Sequence, residues 1–449
     1  MNTYFIKTFG CQMNMSDSER IAGLLETNGF KKALDIKEAS LVVFNTCGVR
    51  QMAEDRVYGQ IHNLHEAWNI EHRTKNKIIL TGCLAHRKDV QRRLKDKVDL
   101  FFPIKNIGVF KNFIIQNYLK ITKLKIKNSS FDNVRNNYLS TRPSYSNKHT
   151  AYISIMTGCN NFCSYCVVPY ARGREISRPA SEILTEIKKL IEIGYKEIVL
   201  LGQNVNSYHG TWDIKHGTKI INFSELLRKV NAIKGNFWIS FVSNHPKDSS
   251  DELIETATKL KKVCEYIHLP IQSGDDKVLQ NMNRKYTQKQ YLELISKIKK
   301  SFKKNKPDKL YSITSDIIVG FSGETKKQLE KSAEVMKMAK YDMVYFGQFS
   351  PRSETAAWKM KDNVSKEEKS RREKYLNEIL KKTSFENNKK YLDETLEVLI
   401  DKEKNGFYFG RTRTMKNVKI FSNKKTLVGK IVKVKVTKAN IWNLEGILT

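Results

Sequence analysis

Three cysteines that are far apart in the chain each directly follow a predicted β-strand. Cys11, Cys47 and Cys83 are equally spaced and end the segments YFIKTFGC, LVVFNTC and IILTGC. Helical patterning separates these segments, so they predict a parallel sheet with right-handed crossovers. Because the carboxyl ends of parallel strands share one edge of a sheet, the three thiols are expected to meet at that edge.

The region around these cysteines is interpreted as one domain, residues 1–118, in which strands and helices alternate. Its predicted strands are 4–9, 41–45, 77–81 and 99–102, and its predicted helices are 16–27, 51–68 and 88–94. The following residues, 119–148, are polar and rich in Asn, Ser and Lys, which predicts a linker.

A second series of strands and helices occupies residues 149–384. Its predicted strands are 152–156, 197–201, 237–242, 266–269, 313–319 and 343–349. The helix predicted at 181–193 has one apolar face, and we expect Ser181 to cap its first turn and Gly194 to end it. Six strands at this spacing predict a partial barrel, in which chemistry would take place at the carboxyl ends of the strands.

The last region, residues 385–449, changes to short alternating strands, which predict a small antiparallel β-barrel. Residues 404–449 contain eleven lysines and arginines but a single acidic residue, Glu445. The whole chain has a net charge of +33. A polyanionic partner such as nucleic acid explains this charge, and so does a general lysine bias in composition.

A second group of cysteines, spaced Cys159-x3-Cys163-x2-Cys166, follows the first strand of the central series. Three thiolates on one short loop can each bind one iron of a [4Fe–4S] cluster, leaving the fourth iron without a protein ligand. The amino and carboxylate groups of S-adenosylmethionine (SAM) could chelate that iron. A zinc site is the alternative, but structural zinc usually takes four protein ligands, and no fourth Cys or His lies nearby in sequence.

The N-terminal cysteines also have two interpretations. A lone cysteine is more often a small buried apolar residue than a ligand. Three cysteines at matching strand ends instead favour a second iron–sulfur cluster. Cys264 has no partner of this kind and is interpreted as structural.

The same sequence features bear on location. No window approaches the roughly 20 apolar residues of a membrane-spanning helix, and the start of the chain lacks the pattern of a secretory signal. An odd number of cysteines, seven, argues against a disulfide framework. We therefore expect a cytoplasmic protein without membrane contacts, acting as a monomer.

Several motifs give the chain a resemblance to the radical SAM superfamily, and within it to the methylthiotransferase family, over almost its whole length. They are TFGCQMN, NTCGVR, LTGC, VVPYARGREISRP, LLGQNVNSY, HLPIQSG, IIVGFSGET, SPR and GRTRT. The CQMN and VVPY segments are most similar to the branch that acts on N6-dimethylallyladenosine in transfer RNA (tRNA).

This resemblance implies an α/β fold of three parts: an N-terminal parallel-sheet domain, a partial (βα)6 TIM-like barrel and a C-terminal TRAM barrel. It implies SAM and two [4Fe–4S] clusters, with the auxiliary cluster on the N-terminal cysteines. The implied reaction replaces hydrogen with a methylthio group at adenine C2, using an external electron donor and a sulfur source. No catalytic carboxylate or histidine is required.

Other functions stay open at this point. A methylthiotransferase could act on threonylcarbamoyladenosine in tRNA or on an aspartate of a ribosomal protein. The chain could also be a non-catalytic RNA-binding protein stabilised by its clusters.

The resemblance also suggests contacts for each ligand. Residues expected near SAM are Tyr165 in the central loop and the strand-end residues Gln203, Gln272 and Gly320. Arg352 could reach SAM or the substrate, or form a surface ion pair. Arg411 and Arg413 are expected to bind RNA phosphates, with a solvated basic face as the alternative.

Two positions depart from the family pattern. Ser322 stands where the family usually has Pro, and Glu354 stands where it usually has Gly. Both departures put the local turns in question.

Overall fold

The computed structural model describes residues 2–48, 51–71, 76–119, 138–214 and 217–449. The chain divides into two compact units, each made of separate stretches. The first unit comprises Met1–Ser146, Met156–Ile176 and Pro351–Lys359, and the second comprises Asn147–Ile155, Ser177–Ser350 and Met360–Thr449. The described residues include no helix with the length and apolar character needed to cross a membrane.

A five-stranded parallel sheet organises the first unit, in the order β2-β1-β3-β4-β5. Its strands are β1 (Thr3–Phe9), β2 (Lys31–Lys32), β3 (Leu41–Thr46), β4 (Lys77–Gly82) and β5 (Leu100–Phe102). The helices of the unit are Gln12–Thr27, Gln51–Ile70, Lys88–Leu94, Ile107–Ile114 and Val168–Arg172. The parallel sheet predicted from the sequence is therefore confirmed.

Both faces of this sheet are covered, and every residue of β3 is buried. Val42 and Phe44 pack in one apolar cluster, whereas Leu41 and Val43 pack in another. This alternation follows from the two-residue period of a strand. Continuous burial of this kind explains why the strand reads as an unbroken apolar run.

The predicted linker lies mostly outside the described residues, which resume at Tyr138 after residue 119. Tyr138 and Leu139 are buried in the same cluster as Leu41 and Val43. The end of the polar segment therefore belongs to the core of the first unit.

The second unit contains the six strands predicted for the central barrel, paired as two parallel sheets in the orders β12-β9-β6 and β13-β14-β15. These strands are β6 (Thr150–Ser154), β9 (Glu197–Leu201), β12 (Trp238–Phe241), β13 (Tyr266–His268), β14 (Ser312–Val319) and β15 (Met343–Gln348). The second unit also contains an unpredicted antiparallel hairpin, β10 (His209–Ile214) with β11 (Gly217–Asn222). Of two further short strands, β7 (Met156–Thr157) belongs to the first unit, and β8 (Ile176–Ser177) lies at the boundary between the stretches of the two units.

Helices connect the central strands and lead into the last domain. They are Ala180–Glu192, Phe223–Asn231, Asp251–Lys259, Asp276–Asn281, Gln288–Asn305, Lys326–Ala339 and Lys366–Lys389. Gly194 follows the first of these with a φ of +100°, as predicted. The prediction that Ser181 caps this helix is wrong: the helix begins at Ala180, so Ser181 already lies in the first turn, and its hydroxyl contacts Asp213 instead.

The C-terminal strands form a closed five-stranded barrel in the order β16-β17-β18-β20-β19. They are β16 (Thr395–Lys404), β17 (Phe407–Thr412), β18 (Asn417–Phe421), β19 (Ile431–Ala439) and β20 (Leu444–Leu448). The predicted barrel is confirmed, with one difference: β18 and β20 pair in parallel, and the other pairs are antiparallel.

Polar residues of this barrel contact the first residues of the central strands. Arg411 pairs with Glu197 at the start of β9, and Arg413 pairs with Glu265 just before β13. The Ser312 hydroxyl, at the start of β14, donates to the Thr414 carbonyl at 2.6 Å. The small barrel therefore covers the amino ends of the central strands, the face that in βα-barrels serves stability.

Candidate functional site

The carboxyl ends of β1, β3 and β4 bring the N-terminal cysteines to one edge of the first unit's sheet. Phe9 is in register with Thr46, and Thr46 is in register with Gly82. The Cys47 amide donates to the Phe9 carbonyl at 2.7 Å, and the Cys83 amide donates to the Thr46 carbonyl at 2.9 Å. Cys11 lies two residues after Phe9, the last residue of the neighbouring strand β1. The three strand ends that carry the cysteines therefore meet at one edge of the sheet, as predicted.

Small residues beside the cysteines let these strand ends approach one another. A Cβ atom on Gly10 would lie 3.0 Å from the Cβ of Cys47. A Cβ atom on Gly48 would lie 2.6 Å from the carbonyl oxygen of Cys83. A larger residue at either position would push the three turns apart.

Two buried asparagines that we did not single out in the sequence hold the same turns. The Cys11 thiol donates to Asn14 Oδ1 at 3.4 Å. Asn14 Nδ2 in turn donates to Asn45 Oδ1 at 3.0 Å. Asn45 Nδ2 returns a bond to the Asn14 carbonyl at 2.8 Å. The only indication of their role in the sequence is that Asn14 lies in the CQMN motif and Asn45 in the NTC motif, next to the cysteines.

The central cysteine loop belongs to the same compact unit. Cys159 is buried, whereas Cys163 and Cys166 are partly exposed. The loop turns back on itself, because the Cys166 amide donates to the Cys163 carbonyl at 2.9 Å. Cys83 packs against Val167 and Ala171, directly after this loop. The structure thus gathers both cysteine groups in one unit.

The thiols suit metal ligation better than disulfide formation. None of the seven cysteines, all of which are among the described residues, forms a disulfide. Burial raises the pKa of Cys83, Cys159 and Cys166, so iron binding must displace protons from these groups. Among the described residues, no three His, Cys, Asp or Glu side chains could together hold one metal ion. A [4Fe–4S] cluster binds each thiolate through a different iron, so its ligands need not surround a single ion.

Buried charges accompany the cysteines. Arg352 is only 5% exposed, so it does not form the surface pair considered from sequence. Its Nη1 donates to Gln51 Oε1 at 2.6 Å and to Glu54 Oε2 at 3.2 Å, and Glu54 also accepts from Arg87 at 2.7 Å. Burial lowers the pKa of Arg352, and the Glu54 charge opposes that shift.

The two departures from the family pattern are accommodated. Glu354 has a φ of +72°, the conformation that glycine adopts freely, so the turn persists at a cost of about 1–3 kcal/mol. The Ser322 hydroxyl donates to the Lys361 carbonyl at 2.5 Å. Both turns are therefore formed with these residues in place.

In the second unit, the residues expected near SAM follow three central strands. Gln203, Gln272 and Gly320 come after β9, β13 and β14. The side-chain carbonyl of Gln203 is buried, and no described residue donates to it; the same holds for Asn204 and Asn244. Buried acceptors without donors are costly, so these strand ends fit a ligand that brings donors, such as the amino group of SAM.

The other two residues expected near SAM, Gly320 and Tyr165, have different surroundings. A Cβ atom on Gly320 would lie 2.4 Å from the Cγ of Lys369, so the glycine permits close packing. Tyr165 is partly buried in the cysteine loop of the first unit. Their contacts with SAM stay predictions.

Arg411 and Arg413 both have carboxylate partners. Arg411 donates to Glu197 and to the Thr150 hydroxyl, and Arg413 donates to Glu265 at 2.8 and 3.0 Å. The neighbouring carboxylates raise the pKa of both arginines against the effect of burial. Their first role is to fasten the small barrel, and phosphate binding by them stays a prediction.

A mixed aromatic and basic face lies elsewhere on this barrel. It consists of Lys402, Lys404, Phe407, Phe409, Lys419 and Phe421, which we call the Phe–Lys face. Phe407 pairs across strands with Phe421, and Phe409 pairs with Lys419. The Lys419 ammonium lies 3.8 Å from the centroid of the Phe407 ring. Phe421 is 59% exposed, an unusual state for a phenylalanine.

Three family matches cover most of the chain. The radical SAM superfamily matches residues 153–336, the uncharacterized protein family UPF0004 matches residues 3–103, and the TRAM domain matches residues 389–449.

Curated relatives match along the full length. The tRNA-2-methylthio-N(6)-dimethylallyladenosine synthase of Clostridium botulinum (strain Okra / Type B1) is 40% identical, over 99% of this chain and 96% of the relative. The enzymes of the same name from Finegoldia magna and Thermoanaerobacter pseudethanolicus are 40% and 39% identical, each over 99% of this chain and over 94% and 92% of their own lengths.

Solved structures support the fold. The cobalamin-dependent SAM radical enzyme OxsB with aqua-cobalamin has a TM-score of 0.52 at 8% identity, covering 80% of this chain and 54% of that one. Its apo form has a TM-score of 0.51 at 10% identity, covering 84% of this chain and 55% of that one. At these identities the likeness concerns the fold alone.

Proposed function

The chain belongs to the radical SAM methylthiotransferase family, and from this premise we propose that it adds a methylthio group to C2 of N6-dimethylallyladenosine in tRNA. Full-length identity of 40% to synthases of that name supports the substrate. The observation that carries the proposal is the gathering of two cysteine groups in one compact unit, since this reaction needs both a radical source and a sulfur platform.

The chemistry requires a radical. Adenine C2 carries no acidic proton, so a general base cannot activate it. When bound, the cluster and SAM of this family supply a radical that removes such a hydrogen. The chain's own contribution is to hold these groups: Cys159, Cys163 and Cys166 would ligate the cluster, and the strand ends at Gln203 and Gln272 would orient SAM.

A second [4Fe–4S] cluster on Cys11, Cys47 and Cys83 would present sulfur to the substrate. The convergence of three strand ends and the close approach at Gly48 support this assignment. The electron donor and the sulfur source are external in this scheme. We also propose that the enzyme acts as a cytoplasmic monomer, with domains at 1–118, 149–384 and 385–449. The segment 119–148, predicted as a linker between the first two, contributes Tyr138 and Leu139 to the core of the first unit.

Iron content tests the two-cluster assignment. Anaerobically reconstituted protein is expected to bind about two [4Fe–4S] clusters, and replacing Cys159, Cys163 and Cys166 with Ala should remove one of them. Iron and sulfide analysis with Mössbauer spectroscopy provides the count. A parent protein with a single cluster would refute the assignment.

The substrate assignment has its own test. Mass spectrometry of tRNA nucleosides from a deletion strain, with and without this gene restored, should show the methylthio derivative of dimethylallyladenosine only with the gene. Appearance of a methylthiolated threonylcarbamoyladenosine or ribosomal aspartate instead would favour the alternative substrates. Absence of SAM cleavage by the reconstituted protein would favour a non-catalytic RNA-binding role.

We further propose that the Phe–Lys face binds the tRNA. Exposed aromatic rings stack on bases, and the interleaved lysines meet phosphates, as on other RNA-binding barrels. Truncating the tail would be a poor test, because it would strip the partners of Glu197 and Glu265. Point changes on the exposed face avoid that damage.

Changing Lys402, Lys404 and Lys419 to Gln is expected to weaken tRNA binding and to flatten its salt dependence. Each lost phosphate contact lowers the slope of log affinity against log salt by about 0.7–0.9. Replacing Phe407 with Ala should weaken binding by about 1–3 kcal/mol through lost stacking. Filter-binding titrations across salt concentrations measure both effects.

A matched control makes the same change of charge on an exposed helix, at Lys289, Lys300 and Lys303. These substitutions should leave most of the slope intact. Equal effects from both triple variants would mean that the lysines act only through net charge.

A further inference from the structure

A buried arginine beside the N-terminal cysteines has no role in the scheme above. Arg172 ends the helix Val168–Arg172, shortly after Cys166, and its side chain is 2% exposed. Its guanidinium forms a two-point ion pair with Asp17, with Nη1 3.2 Å from Oδ1 and Nη2 against Oδ2. The Asp17 side chain is fully buried. Charged residues are rarely buried to this degree, and each such pair calls for a reason.

The position of this pair is specific. Asp17 lies in the helix Gln12–Thr27, which begins directly after Cys11. Arg172 lies near the Cys83 side chain, and its neighbour Ala171 packs against the same cysteine. Burial raises the pKa of the Cys83 thiol, and the nearby Arg172 guanidinium acts in the opposite direction.

The carboxylate partner is itself held in place. The Tyr138 hydroxyl donates to Asp17 Oδ1. The Arg20 guanidinium lies 5.5 Å from the centroid of the Tyr138 ring, and its Nη1 donates to the Leu139 carbonyl at 3.1 Å. Asp17 is therefore fixed from two sides, and it fixes the direction in which Arg172 points.

A purely mechanical role does not account for these groups. Buried ion pairs add little net stability compared with apolar residues of similar size, which could join the same segments equally well. A guanidinium adds N–H donors and a positive charge next to a sulfur ligand. Hydrogen bonds to sulfur and local charge are the main controls that a protein has over the reduction potential of an iron–sulfur cluster.

From this geometry we infer that Arg172, oriented by Asp17, is a positioning residue for the N-terminal cluster that donates to the Cys83 sulfur and raises the cluster's reduction potential. The inference rests on the second cluster of the proposed function. Asp17 opposes the effect through its negative charge, so the two residues should shift the potential in opposite directions.

The test uses the full-length chain with Cys159, Cys163 and Cys166 changed to Ala, so that only the N-terminal cluster remains. Dithionite titration followed by electron paramagnetic resonance gives the reduced fraction at fixed potentials. With R172Q, the ratio of reduced to oxidised cluster at the parent's midpoint should fall about tenfold, equivalent to 59 mV for one electron. With D17N the ratio should rise.

Tyr138→Phe is the matched control, because it removes a hydrogen bond from Asp17 without changing either charge. Its ratio should stay within about twofold of the parent. If R172Q fails to retain iron, the variants R172K and D17N test the role of Arg172 instead. R172K keeps the positive charge, so the ratio of reduced to oxidised cluster should fall by less than tenfold. D17N should still raise that ratio.

The outcomes separate the two hypotheses. Absence of any cluster in the starting variant would refute the second cluster itself. A cluster whose potential is unchanged in R172Q and D17N, or shifts in the same direction in both, would overturn the role of Arg172 while leaving the second cluster in place.

Discussion

Replacing Cys11, Cys47 and Cys83 together with Ala is expected to abolish methylthiolation while SAM cleavage continues at a rate within a few fold of the parent. The central loop keeps all its own thiols in this variant, so the radical can still form. The amount of methylthiolated product should fall by at least about 100-fold. Changing a residue that only supports a metal ligand typically lowers activity 10- to 100-fold, and loss of the ligands themselves should lower it further. Chromatography of 5′-deoxyadenosine and of digested tRNA measures both reactions in one sample.

Cys264 provides the control for this experiment. It is buried and belongs to neither cysteine group. Cys264→Ala should leave both reactions intact, whereas Cys159→Ala, Cys163→Ala or Cys166→Ala should stop both. Methylthiolated product from the N-terminal triple variant would show that these cysteines are not the sulfur platform.

The second large expected effect is a loss of stability when the contact between the central strands and the C-terminal barrel is broken at Glu265. Glu265 accepts from Arg413 at 2.8 Å and pairs with Lys306 at 2.7 Å, and its side chain is 6% exposed. Glu265→Ala leaves two cations without their anion, at a cost of about 3–5 kcal/mol in the free energy of unfolding. Differential scanning fluorimetry should show the melting temperature falling by about 10 °C.

Lowering the pH should also destabilise the protein through Glu265. Burial raises the pKa of Glu265, but its bonds and charge interactions with Arg413 and Lys306 lower it by more, so the net shift is downward. The contribution of Glu265 is therefore complete above its ordinary pKa and is lost as the pH falls through the lowered value. Glu265→Gln should reduce this acid sensitivity.

Glu252 offers a matched surface pair, since it and Arg228 are each nearly half exposed. Glu252→Ala should cost no more than about 1 kcal/mol. An equal loss in both variants would contradict the view that burial of the Glu265 cluster controls its contribution.

Some of the architecture follows from the sequence because its signals are local. The predicted strand 197–201 coincides with β9, and the helix predicted at 88–94 coincides with Lys88–Leu94. Parallel strands buried on both faces read as apolar runs, and that pattern needs no knowledge of the partner. The convergence of Cys11, Cys47 and Cys83 was predictable for the same reason, since parallel topology alone places strand ends together.

Other features depend on partners that are distant in sequence. Arg411 is separated from Glu197 by 214 positions, so a basic residue in a basic tail gave no sign that it would meet a buried carboxylate. The pair Arg172 and Asp17 was missed for the same reason. The hairpin of β10 and β11 lacks clear alternation, with exposed residues on both strands.

The discontinuous first unit has a consequence for how the protein is made. Its stretches are far apart in the chain: Gln51 and Arg352, which are hydrogen-bonded, are 301 positions apart. During translation the cysteine edge of the sheet therefore emerges long before the segment that completes its surroundings. Contacts of such long range form slowly, and intermediates that lack them expose apolar surface. We expect iron insertion in the cell to follow synthesis of Pro351–Lys359, with the nascent N-terminal sheet depending on chaperones until then.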